Sequence, residues 1–180
     1  IAREGGQNAM DAGRKTKGIT ELEFHELKIS GSKKEELIEL IKLRELLEPR
    51  MKVFKSNPRQ EYFASKVESF LGDEEVSALL IRDKNTCGLG GAQDEYEKGD
   101  HFARLVCALN LDDKADDDPN SGGSFGLGKT AYAKSSLINT VLYHSTFKAT
   151  DRTNQTARRL MVAGVYPQHK FENQKFGGFA

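Results

Sequence analysis

The sequence contains no run of 18 apolar residues, so a membrane-spanning helix is not expected. It has only two cysteines, Cys87 and Cys107. Two thiols build no disulfide framework, and they suit an intracellular, cytoplasmic chain. Its four histidines, His25, His101, His144 and His169, are far apart, and no His-x-x-x-His or Cys-x-x-Cys spacing offers a zinc site. Neither charge is in excess, with 27 Lys+Arg against 27 Asp+Glu. That balance argues against a globally basic nucleic-acid binder and against an acidic tail protein. The pairs Lys33-Lys34 and Arg158-Arg159 are too short to indicate nucleic acid and read as solvated faces. No Pro/Ser-rich linker and no internal repeat divides the chain, and no basic-then-apolar leader opens it. Ile1 stands in helical-looking material and the sequence closes on Phe176-Gly177-Gly178-Phe179-Ala180, so it reads as a segment of a longer protein.

What is present suits one α/β domain. The 180 residues, 37% hydrophobic and 30% charged, are enough for a real core beneath a polar surface. The pattern predicts a helix over 1–13 ending at Gly13, within which Gly5 and Gly6 mark either close backbone approach or a tolerant surface. A strand follows over 22–29. An amphipathic helix over 33–47 carries Leu37, Leu40, Ile41, Leu43 and Leu47 on one broad face and stops before Pro49. A further helix starts with Asn57 as N-cap, Pro58 in the first turn and Gln60 completing a capping box, and Phe63, Val67, Phe70 and Leu71 form its apolar stripe. The short run Val76 to Ile81 is almost all apolar and reads as a central strand. After the turn Gly88–Gly91, Asp100 can cap a helix bearing Phe102, Leu105, Val106 and Leu109, and a polar loop follows over 112–121. The glycine-rich stretch 122–128 leads into a helix over 129–138. Strands over 140–147 and 160–166 flank a polar loop, 148–159.

Three segments carry candidate chemistry. In the opening helix Glu4, Asn8 and Asp11 are four and three residues apart, so their polar groups share one side. A carboxylate and an amide oxygen so placed can activate a water and ligate a hard cation; they also suit a solvated helix face. In the second, Asp83 ends the apolar strand and is followed by Asn85, Cys87, Gly88, Leu89 and a glycine pair. That arrangement presents an acceptor beside a tight backbone bend, or is simply a turn. The third runs Gly122-Gly123-Ser124-Phe125-Gly126-Leu127-Gly128-Lys129-Thr130. Its glycines let backbone N–H groups close on phosphate oxygens, and the following helix offers its N-terminus to the same anion. Gly123 to Thr130 also spells a P-loop, but the residues before it are Asp116-Asp117-Asp118-Pro119-Asn120-Ser121, which cannot form the buried strand that a P-loop requires.

Taken in this order, the three segments resemble the ATP-binding domain of the GHKL superfamily, shared by DNA gyrase, the ninety-kilodalton heat-shock chaperone, sensor histidine kinases and the mismatch-repair protein MutL. Its helix box, Glu-x-x-x-Asn-x-x-Asp-Ala, is matched by Glu4, Asn8, Asp11 and Ala12. Its Asp-x-Gly-x-Gly box is matched at Asp83, with Asn85 and Cys87 at the glycine positions and Gly88-Leu89 one step later. Its glycine-rich lid is matched by Gly123 to Gly128. The resemblance covers about residues 1–14 and 76–147, and it leaves the helices of 31–73 as an insertion.

The resemblance implies a two-layer α/β sandwich of the Bergerat type, a mixed sheet with helices on one face and ATP under a lid. Asn8 would hold Mg²⁺, Glu4 would orient or deprotonate the attacking water, and Asp83 would accept the adenine amino group. Asp11 would support the pocket, Asn85 and Gly88 would shape its turn, and Leu89 would pack on the base. Gly123, Ser124, Phe125, Gly126, Leu127, Gly128, Lys129 and Thr130 would close on the phosphates. The implied activity is ATP hydrolysis coupled to lid closure, acting on the remaining domains of the parent protein or through nucleotide-dependent homodimerisation. A histidine-kinase-type phosphotransfer domain, a P-loop NTPase and a nucleotide-binding module without catalysis are the alternatives.

Overall fold

Periodicity sets most of the elements where expected. A computed structural model describes residues 1–14, 16–91, 101–102, 128–148 and 155–176, with 128–130 described in backbone alone. Helix α1 (Ala2–Gly13), strand β1 (Glu21–Ser30), helix α5 (Glu61–Gly72), strand β2 (Glu75–Lys84) and strand β3 (Thr140–Lys148) fall on or close to the anticipated spans. The fold is mixed α/β, and its described strands make three two-stranded antiparallel ladders: β1 with β2, β3 with β4 (Thr156–Gly164), and β5 (His169–Phe171) with β6 (Gln174–Phe176). Among the described residues β2 pairs only with β1, and Leu79 is half exposed, so the apolar run of β2 is not a central buried strand. None of the described helices is long and apolar enough to cross a membrane.

The elements fall into two compact units. The first holds the described residues of Ile1–Phe24, Ile81–Tyr132 and Tyr143–Met161; the second holds those of His25–Leu80, Ala133–Leu142 and Val162–Ala180. The second unit carries a core of Ile38, Ile41, Leu43, Leu47, Phe54, Phe63, Ala64, Val67, Phe70, Val76, Ile138 and Tyr166. Here the single helix expected over 33–47 is broken. Helix α2 (Gly31–Leu40) ends, Lys42 turns left-handed at φ 50°, and α3 (Leu43–Leu47) begins on a new axis. The break takes Leu40 out to solvent and puts Ile38 inward in its place. Pro49 does not end the helical run either. It opens a 3₁₀ turn, Glu48–Arg50, that feeds α4 (Met51–Ser56), because proline is tolerated where the first N–H groups have no helical partner.

Asn57 caps a turn, not a helix. Its Oδ1 accepts the Arg59 N–H at 3.1 Å, and α5 starts only at Glu61. Gln60 builds no capping box; it is buried, and its Nε2 donates to the Gln168 carbonyl at 2.6 Å. Lys34 is likewise no solvated charge. It is 5% exposed, and its ammonium donates to the Leu71 carbonyl at 2.9 Å and to the Asp73 carbonyl. A cation there satisfies carbonyls that the end of α5 leaves without helical partners.

At the other end of the second unit, Glu172 and Asn173 both adopt positive φ, 48° and 64°. Two consecutive left-handed residues make the two-residue turn that joins β5 to β6. His169 on β5 stacks on Phe176 at 5.1 Å and meets Phe54 edge-on at 4.9 Å.

Candidate functional site

In the first unit Gly5 of α1 faces side chains of β1, β2 and a later helix. A Cβ there would lie 3.6 Å from Ile81 Cγ2 and 3.7 Å from both Phe24 Cζ and Tyr132 Oη. Gly5 is buried yet leaves room for a Cβ at ordinary contact distance, and Gly6 has nothing within 4 Å. Alternation along β2 then places Asp83 on the same face as Ile81, toward α1. Arg82 and Lys84 face the other way. Arg82 pairs with Glu23 at 3.7 Å, and Lys84 pairs with Glu21 at 3.3 Å and with Glu23.

The meeting point of these elements is Tyr132, on helix α6 (Gly128–Ser135). Asn8 Nδ2 donates to the Tyr132 hydroxyl at 3.2 Å. Burial pushes the phenol above its ordinary pKa; the Asn8 hydrogen bond pulls it back, and the negative charges of Glu4 and Asp83 push it further up. Asn8 thus bonds the Tyr132 hydroxyl, and the charges of Glu4 and Asp83, from two separate elements, lie close enough to act on it. Tyr143, on β3, is pushed up to about 12 by burial and by the nearby Tyr132. Both phenols stay protonated, and therefore neutral, at physiological pH.

Asp11 is placed differently. It accepts from Gln7 Nε2 at 3.2 Å and pairs with Arg14 at 3.5 Å, so its charge is spent along its own helix surface.

The bend after Asp83 is pinned to five other segments. Asn85 is left-handed at φ 56°; its Nδ2 donates to the Ile19 carbonyl at 2.8 Å, and its own carbonyl accepts from Thr16 Oγ1. Cys87 N–H donates to the Ala12 carbonyl at the end of α1, 3.1 Å away. Leu89 N–H donates to Ser145 Oγ on β3 at 2.8 Å. From β4, Arg159 donates through Nη1 to the Leu89 carbonyl at 3.1 Å and through Nη2 to the Gly91 carbonyl at 2.7 Å. Its guanidinium lies 4.0 Å from the Phe102 ring centre and 4.9 Å from that of Phe147. Phe102 N–H in turn donates to the Gly90 carbonyl at 3.0 Å.

Arg159 therefore clamps the bend and is not part of a solvated loop. Strand β4 begins at Thr156, four residues before the span expected from the sequence. Lysine keeps the charge but lacks the planar fork. Arg159→Lys is expected to lower stability by about 1–2 kcal/mol, read from urea unfolding, with an unchanged unfolding midpoint as the contrary result.

Gly123, Ser124, Phe125, Gly126 and Leu127 lie outside the described residues, and of Gly128, Lys129 and Thr130 the backbone forms the start of α6. The helix expected from Asp100 also lies mostly outside them. Among the described residues no three His, Cys, Asp or Glu side chains cluster to hold a metal ion. Tyr132 and Arg159 carry no motif of their own, and nothing in the sequence marks either as part of the site. No protein-family model, no curated protein and no solved structure matches this chain.

Proposed function

We propose that the first unit binds ATP with magnesium and hydrolyses it, within a two-layer α/β sandwich of the GHKL type. The observation that carries this is the hydrogen bond from Asn8 to Tyr132, a phenol on which the charges of Glu4 and Asp83 also act. Glu4, Asn8 and Asp83 come from the helix box and the strand-end box, 75 residues apart between Asn8 and Asp83. A second point supports it. Asn85 occupies the position where the resemblance expects a glycine, and it adopts φ 56°, a conformation asparagine tolerates better than most residues.

The donor set suits magnesium bound chiefly through phosphates and water. Asn8 turns its amide nitrogen to Tyr132, which leaves the amide oxygen as its cation ligand. When bound, the ion would neutralise charge on the transferring phosphoryl group. Glu4, in the first turn of α1, would hold and deprotonate the attacking water. Asp83, exposed at the end of β2, would accept from the adenine amino group and so select adenine over guanine. The bend held by Ser145 and Arg159 would keep Leu89 against the base. Closure of the glycine-rich segment ahead of α6 would then act on the rest of the parent protein, as homodimerisation or domain movement.

Asp83→Asn is expected to weaken MgATP binding about tenfold or more in calorimetry, since it removes a charged acceptor. Unchanged affinity contradicts the adenine contact. Loss of binding in Lys129→Ala with full binding in Asp83→Asn would favour the P-loop alternative.

A further inference from the structure

We propose that Tyr132 is a positioning residue that fixes the Asn8 carboxamide with its oxygen toward the cation, and so sets the magnesium affinity of the site. This rests on the nucleotide-binding function proposed above. A carboxamide can turn over with almost no change of shape, presenting either nitrogen or oxygen to a given point. Something must choose between the two. Tyr132 does so by accepting from Asn8 Nδ2 at 3.2 Å, across 124 residues of sequence.

A hydroxyl can donate as well as accept, so it needs an orientation of its own. The negative charges of Glu4 and Asp83 act on the same phenol and favour its protonated form. The phenol oxygen accepts from the Asn8 N–H. The hydroxyl faces the α1 backbone, 3.7 Å from where a Cβ on Gly5 would stand. Tyr132 lies only four residues beyond Gly128, so the helix that follows the glycine-rich segment carries the group that aims the cation ligand. Metal affinity is accordingly linked to the placement of α6.

The test is Tyr132→Phe, which keeps the ring and removes the hydroxyl. ATP affinity is measured by calorimetry in EDTA and again across a magnesium titration. The Asn8 side-chain amide resonances are followed by NMR without nucleotide. The expected result has three parts: metal-free ATP affinity within about twofold of the parent, a magnesium half-saturation raised about tenfold, and displaced Asn8 amide resonances. An unchanged magnesium half-saturation overturns the proposal, and so does an equal loss of affinity with and without magnesium, which would mark a packing role. Failure of the parent protein to bind ATP in either condition overturns the nucleotide site itself, and the two failures are therefore distinct. Should Tyr132→Phe not fold, a fluorotyrosine placed at position 132 keeps the shape and weakens the oxygen as acceptor. It must raise the magnesium half-saturation in the same direction, and no change again overturns the proposal.

Discussion

Alanine in place of Gly88 is expected to destabilise the protein by about 2–5 kcal/mol. Two independent costs add. Gly88 has φ +70°, where a residue with a Cβ is strained by about 1–3 kcal/mol. The added methyl would also be driven onto the Thr146 carbonyl oxygen, with Ser145 Oγ at 3.0 Å and Phe147 Cβ at 3.1 Å closing the remaining space. Backbone on β3 cannot swing aside as a flexible side chain can. Relief would require the bend to lift from the strand, breaking the Leu89–Ser145 hydrogen bond and loosening the Arg159 clamp. Urea unfolding measures the loss directly. A Gly88→Ala variant within 0.5 kcal/mol of the parent, a margin about that of an ordinary surface change, would mean that the bend does not sit against β3 as described.

Glu4→Gln is expected to lower ATP turnover by about 10²–10³-fold while leaving ATP affinity nearly unchanged. The substitution preserves shape and hydrogen-bonding capacity and removes only the basic carboxylate. Glu4 is half-buried in the first turn of α1, where an amide of the same shape forfeits little packing. Single-turnover hydrolysis separates the chemical step from product release. A carboxylate that merely solvates the helix would give equal rates in the two proteins, and equal rates would remove Glu4 from the mechanism.

The helices and strands that the sequence made legible are those whose apolar period runs uninterrupted, such as α5 with Phe63, Val67 and Phe70. The break at Lys42 was hidden because leucine and isoleucine continue on both sides of it, and one left-handed lysine has no signature in composition. The β5–β6 hairpin was missed for a related reason: its turn is Glu172-Asn173, with no glycine to announce two positive φ values. The strand expected over 160–166 starts four residues late because Arg158 and Arg159 read as polar surface. In the strand they alternate, and Arg159 turns inward to backbone carbonyls, which carry no sequence identity.

The candidate site was legible in part for the same physical reason. Glu4 and Asn8 share a helix side by spacing alone, and Asp83 stands out as an acid at a strand's end before a glycine-rich bend. Tyr132 could not be assigned from spacing, since its partner Asn8 is 124 positions away and a tyrosine on a helix stripe ordinarily reads as core. Asp11 shared the predicted side, yet Gln7 and Arg14 on its own helix take its carboxylate.

The most direct test is a titration of the isotopically labelled protein with ATP and magnesium, followed by NMR at the Asn8 side-chain amide, the Asp83 backbone amide and the Tyr132 ring. A single shared site predicts that all three signals move together and fit one dissociation constant. Signals that stay still at saturating nucleotide, or that fit separate constants, would contradict it.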